Sequence, residues 1–208
     1  MFLIREVYFD QLHFIANGLM WSLTTLIVAT WRMKVRRITW KALGLRKPEN
    51  LLKTFLVTAG ILIAIPTFMV VFHMIKDILP FTLAPDMSSE QAASKFGKLS
   101  GNWMHFFTII PFVLLQSALE ELLDRAFLIT WIERVFSSTT FATVIAVLLQ
   151  ALIFGFRHSY DISERSISVA IIGLVMGIAY VKFGRNLWPL IIAHCVFNTI
   201  SMAGRVMD

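Results

Sequence analysis

The chain has a single cysteine, Cys195, so no intrachain disulfide can form. Charge is also scarce: 15% of the 208 residues are charged and 57% are hydrophobic, where a soluble domain carries about 25% charged residues. That shortage excludes an ordinary water-soluble globule and points to an integral membrane protein. Short alternating segments of about ten residues, the mark of a closed membrane β-barrel, are lacking; the apolar runs are long and continuous. No internal repeat is visible, which argues against a transporter built from inverted halves. No cleavable leader is evident in the opening Met1-Phe2-Leu3-Ile4-Arg5-Glu6, so the first span is expected to act as its own insertion signal.

What is present is a helical pattern. The apolar runs predict an all-α, polytopic bundle of about six spans: Leu12–Trp31, Leu51–Ile75 with a kink at Pro66, Trp103–Trp131, Thr139–Phe156, Ile167–Phe183 and Leu187–Ala203. A single membrane domain, 1–208, is expected, with the chemistry in 103–204. Between the first two spans, Lys34–Asn50 interleaves Ile38, Trp40, Leu43 and Leu45 with cations, which predicts an interfacial amphipathic helix stopped near Pro48. The most polar stretch, Lys76–Asn102, contains Pro80, Pro85, Ser88 and Ser89 and reads as a loop. Most of the net charge of +6 comes from Arg32, Lys34, Arg36, Arg37, Lys41, Arg46 and Lys47, a stretch without an acid. Beside a span, such a cluster predicts a cytoplasmic flank against anionic lipid headgroups, not a nucleic-acid site. The N- and C-termini are then expected outside, with Lys182 and Arg185 back on the cytoplasmic side. The bilayer is thus a partner; no sequence feature sets an oligomeric state.

Ionisable and amide groups inside these runs form three sets: Glu120-Glu121-x-x-x-Arg125, Phe154-x-x-x-His158 and His194-x-x-x-Asn198. A charged group at the centre of a membrane helix costs about 2.5–3.5 kcal/mol by insertion scales, so such groups need partners or a use. Residues four apart share a helical face. Glu121 is therefore expected to pair with Arg125 as a structural clip. Glu120, about 100° away around an α-helix, is expected to face elsewhere and to be available for chemistry. The plain alternative is that these acids, with Asp124 and Glu133, mark a solvated span end. His158 likewise reads either as an interfacial residue, beside Arg157 and Tyr160, or as part of a site. His194 and Asn198 share one face deep in the last span. Gly173 and Gly177, four apart, let a neighbouring helix approach closely. Converging carboxylates, imidazoles and an amide can activate a water and stabilise an oxyanion.

These three sets, in this order, resemble the motifs of the CPBP family, the CAAX proteases and bacteriocin-processing (Abi) enzymes related to the Ras-converting CAAX endopeptidases. The run from Gly173 and Gly177 through Gly184, Trp188 and His194 is similar to that family's closing segment, and Leu43-Gly44-Leu45-Arg46 echoes it ahead of the second span. The resemblance implies a membrane-embedded glutamic endopeptidase in the cell membrane, the bacterial cytoplasmic membrane for bacterial members. It also implies a peptide or protein substrate presented at the membrane and no cofactor. By position, Glu120 is the catalytic carboxylate, acting on a water with His158, while His194 and Asn198 bind the oxyanion and Glu121 and Arg125 fill the supporting positions. Two positions depart from the pattern: Asp124 stands where an aromatic residue is frequent, and Ala126 where glycine is. Three rival readings remain. Glu120, His158 and His194 have the composition of a His₂Glu zinc site. Cys195 beside His194 has that of a cysteine peptidase. A non-catalytic immunity factor or scaffold would use the same groups only to fix helix packing.

Overall fold

The computed structural model describes Phe9 and residues 13–78, 82–84 and 95–208. Among the described residues there are six helices: α1 (Phe14–Val35), α2 (Leu51–Ile75), α3 (Trp103–Val135), α4 (Ala142–Phe156), α5 (Glu164–Lys182) and α6 (Trp188–Met207). Their starts follow local chemistry. Asn50, Asn102 and Ser163 cap α2, α3 and α5 by accepting the backbone N–H of Lys53, His105 and Ser166, and Pro189 occupies the first turn of α6. Pro66 and Pro111 lie inside α2 and α3 without ending them. Five of the helices are long and apolar enough to cross a membrane; α4, with 15 residues, is shorter. Large apolar side chains such as Leu52, Phe55, Leu56 and Ile63 stay exposed on the outer face of α2, as a lipid-facing helix requires, while Val57, Ile61 and Ile65 join the core.

The expected bundle is therefore present. Of the expected polar loop, Pro80, Pro85, Ser88 and Ser89 lie outside the described residues, as does Leu12.

The stretch after α1 is a correction. An amphipathic helix was expected over Lys34–Asn50, but α1 itself runs to Val35 and residues 36–50 form a series of turns. Arg37 and Gly44 have φ of 55° and 103°, which breaks any helix there. The backbone groups released are taken up by the α5–α6 turn. Tyr180 donates its hydroxyl to the Leu43 carbonyl (2.9 Å), and the Leu187 N–H donates to the Gly44 carbonyl (3.1 Å). A Cβ on Gly44 would run into the Arg185 carbonyl.

The loops gather at two ends. At one lie the basic turns, the α5–α6 turn and the end of α3, tied by a bidentate Arg185–Glu133 pair (2.6 and 2.9 Å). At the other, Lys76 after α2 pairs with Glu164 at the start of α5 (2.8 Å), the Glu164 N–H meets the Ala84 carbonyl, and Gly101 N–H meets the Val206 carbonyl. This is the strict alternation of a polytopic bundle.

Small residues set the closest helix approach. A Cβ on Gly173 would lie 3.2 Å from Ala151 Cα and from the Phe154 ring, and one on Gly177 would lie 3.0 Å from the Gln150 amide oxygen. The expected close contact at Gly173 and Gly177 is thus between α5 and α4. Gly155 is tighter still, with Ser166 and Ala170 against it. We expect Gly155→Ala to destabilise the purified protein by about 1–3 kcal/mol, the usual result of overpacking, whereas Gly60→Ala, which meets open space, should leave the melting temperature in detergent unchanged or raised. Equal melting of the two variants would contradict this packing.

Candidate active site

Midway along α3 the backbone changes register. The α-helix ends at Glu120, residues Glu121–Ile129 form a π-helix, and α-helix resumes at Thr130. A π-segment widens the turn and is frequent at functional sites. It presents Glu120, Glu121, Asp124 and Arg125, all of them buried, with Glu121, Asp124 and Arg125 at 0% exposure. The reading in which these acids are a solvated span end is thereby removed.

Each acid meets a cation or an imidazole. Glu121 Oε2 lies 3.2 Å from Arg125 Nε, as expected from their spacing. Its other oxygen accepts from His194 Nδ1 at 2.7 Å. His194 Nε2, on the far edge of the ring, is 3.9 Å from Glu120 Oε2. The expectation that the two neighbouring carboxylates diverge too far to share one site is thus corrected: a single imidazole spans both, one nitrogen toward each. Asn198, one turn along α6, donates to the Ser117 hydroxyl at 2.7 Å, which anchors it to α3 beside the acids.

Two further residues were not foreseen. Arg157 clasps Asp124 with both terminal nitrogens (2.8 and 2.6 Å), and its Nη2 is 3.9 Å from Glu120 Oε1. Gln116 Nε2 donates to Glu120 Oε1 (3.0 Å) and lies 2.9 Å from the Ser22 hydroxyl of α1. Gln116 could have been found from its i, i+4 spacing to Glu120. Arg157 could have been found by asking which cation neutralises Asp124, since Leu128 stands four residues on.

Phe154 brings His158 to this cluster. Its ring centroid is 4.7 Å from that of His158 and 6.5 Å from that of His194, and the Arg125 and Arg157 guanidiniums lie 4.1 and 5.1 Å from it. His158 stands in the loop after α4, where its Nδ1 bonds the Phe154 carbonyl at 2.6 Å. Burial, opposed by the Glu120 charge, lowers the His158 imidazole to about 3, so it is neutral, with Nδ1 the donor and Nε2 left as an acceptor. The loop is held by hydroxyls: Ser159 to Ser166 at 2.5 Å and Ser166 to the Asp161 carbonyl at 2.6 Å.

Among the described residues no group of three or more His, Cys, Asp or Glu side chains is arranged to hold a metal ion, and no step is assigned to one. The Cys195 thiol points to the Leu114 carbonyl (3.8 Å). It lines a separate apolar groove of about 320 Å³ on α6 with Ile191, Ile192, Val196, Thr199 and Ile200.

Residues 102–200 match the family described as type II CAAX prenyl endopeptidase Rce1-like. No curated protein and no solved structure matches the chain. The matched segment runs from the cap of α3 into α6 and contains Glu120, Glu121, Arg125, Phe154, His158, His194 and Asn198; α1 and α2 lie outside it.

Removing one member of a buried ion pair leaves the other uncompensated, at about 3–5 kcal/mol. We therefore expect Arg125→Met to lower the melting temperature markedly, read by thermal unfolding in detergent. An unchanged midpoint would show that the Glu121–Arg125 pair does not support the fold.

Proposed function

We propose, on the premise that residues 102–200 form a domain of the Rce1-like CAAX endopeptidase family, that this multi-pass membrane protein hydrolyses a peptide bond through Glu120. The observation that carries the reading is the convergence of the three motif sets: His194 lies against Glu121 (2.7 Å) and near Glu120 (3.9 Å), with Phe154 and His158 beside it.

Glu120 takes a proton from a water whose oxygen adds to the scissile carbonyl carbon. The neutral His158 accepts a hydrogen bond from that water and orients it. The carbonyl oxygen becomes an oxyanion. Asn198, whose amide keeps an N–H beyond the one given to Ser117, donates to it. In its protonated form His194 donates from Nε2, with Nδ1 held by Glu121. The C–N bond then breaks, and the proton passes from Glu120 to the leaving amine. Gln116, tied to Glu120 at 3.0 Å, fixes the carboxylate's rotamer. Pairing with Arg125 and His194 keeps Glu121 in a supporting role.

The substrate is a peptide or protein presented at the membrane. The basic end of the bundle lies on the cytoplasmic side, with both termini outside, in the bacterial cytoplasmic membrane.

The closed pairing of Asp124 with Arg157 and of Glu121 with Arg125 favours a second reading, a non-catalytic packing network. The two separate on activity. We expect Glu120→Ala and His194→Ala to abolish peptide cleavage by the purified protein while it stays folded in detergent. Asn198→Ala should lower kcat by about 10²–10³-fold, the usual cost of an oxyanion donor. Cleavage by the wild type should persist in a metal chelator. Undiminished cleavage by either alanine variant at Glu120 or His194 would overturn the assignment.

A further inference from the structure

Asp124 and Arg157 belong to none of the three motif sets, yet they form the most closely made ion pair in the buried cluster. Both are nearly inaccessible, with side-chain exposures of 0% and 2%. The fork is bidentate, at 2.8 and 2.6 Å, which fixes the plane of the guanidinium as well as its position. The same Nη2 that meets Asp124 Oδ2 is 3.9 Å from Glu120 Oε1. Arg157 is also the residue directly before His158, and its guanidinium lies over Phe154, whose carbonyl holds His158 Nδ1.

The pair thus joins two things. It fastens the loop that carries His158 to the π-segment of α3, and it keeps a fixed positive charge beside Glu120. Glu120 is met by Arg157 and His158 from the loop after α4 and by His194 from α6. Simple gap-filling does not require ions here: buried ion pairs lose much of their attraction to desolvation, and apolar pairs of similar volume frequently replace them without loss of stability.

We infer that Arg157, held by Asp124, is a positioning residue for hydrolysis: it sets the distance between Glu120 and the His158 imidazole and holds a fixed positive charge beside the Glu120 carboxylate where it meets water. This rests on the reading of Glu120 as the residue that activates water.

The test uses the full chain in detergent and a mixed-sequence fluorogenic peptide library, with kinetics on the peptide that the wild type cleaves fastest. Asp124→Leu combined with Arg157→Leu removes both charges together and strands neither. This double variant should melt near the wild-type temperature and bind peptide with KM within about twofold, while kcat falls about 100-fold, the loss that misplacement by about an ångström brings. Arg157→Lys, which keeps the charge and loses the fork, should recover part of kcat. A stable double variant with wild-type kcat overturns the inference while leaving the role of Glu120 intact. Should the double variant not fold, wild-type kcat in Arg157→Lys overturns it equally. A wild type that cleaves nothing, or a Glu120→Gln variant that cleaves normally, overturns the proposed function and this inference with it.

Discussion

Three carboxylates buried on one stretch of α3 dictate how the rest of the molecule is arranged. Glu120, Glu121 and Asp124 are at most 7% exposed, and an ionised acid removed from water must be met by cations and donors. Arg125 answers from the same helix, Arg157 from the loop after α4, and His194 from α6. The charges therefore decide which helices stand together. His194 lies between Glu120 and Glu121, one ring nitrogen toward each. The low polarity around the cluster strengthens every such interaction.

The apolar packing serves the same end. Phe154 is a common wall for Arg125, Arg157, His158 and His194. It keeps its position because Gly173 of α5 has no side chain to displace it. Gly155, next in sequence, brings α4 against Ser166 and Ala170 at the start of α5, where the serine-held loop begins. Glycines on two helices thus fix the depth at which the His158 loop meets α3. The turns over 36–50 close the opposite end of the bundle, and Tyr180 and Leu187 hold them there.

Much of this was legible in the chain itself, because membrane helices obey simple rules. Length and hydropathy located the spans, and the cost of intramembrane charge singled out Glu120, Glu121, Arg125, His194 and Asn198. Spacing by four gave the Glu121–Arg125 pair and the small-residue contact at Gly173 and Gly177. The failures share a cause: each depended on backbone geometry or on a distant partner. The 34–50 segment has the composition of an amphipathic helix, but left-handed Arg37 and Gly44 and the carbonyl partners on α5 and α6 override it. Glu120 and Glu121 were separated by α-helical angles that the onset of the π-segment and the two-edged imidazole of His194 make irrelevant. Arg157 looked like a span-end residue because its acid lies 33 positions away.

In the proposed reaction Glu120 acts on a water and not directly on the peptide. Single-turnover cleavage in oxygen-18 water, with enzyme in excess and both product and protein read by mass spectrometry, tests it most directly. Activation of water by Glu120 places one labelled oxygen in the new peptide carboxylate and no label in the fragment containing Glu120. Label in the Glu120 carboxylate, or an unlabelled product, would contradict it by showing a covalent acyl-glutamate intermediate.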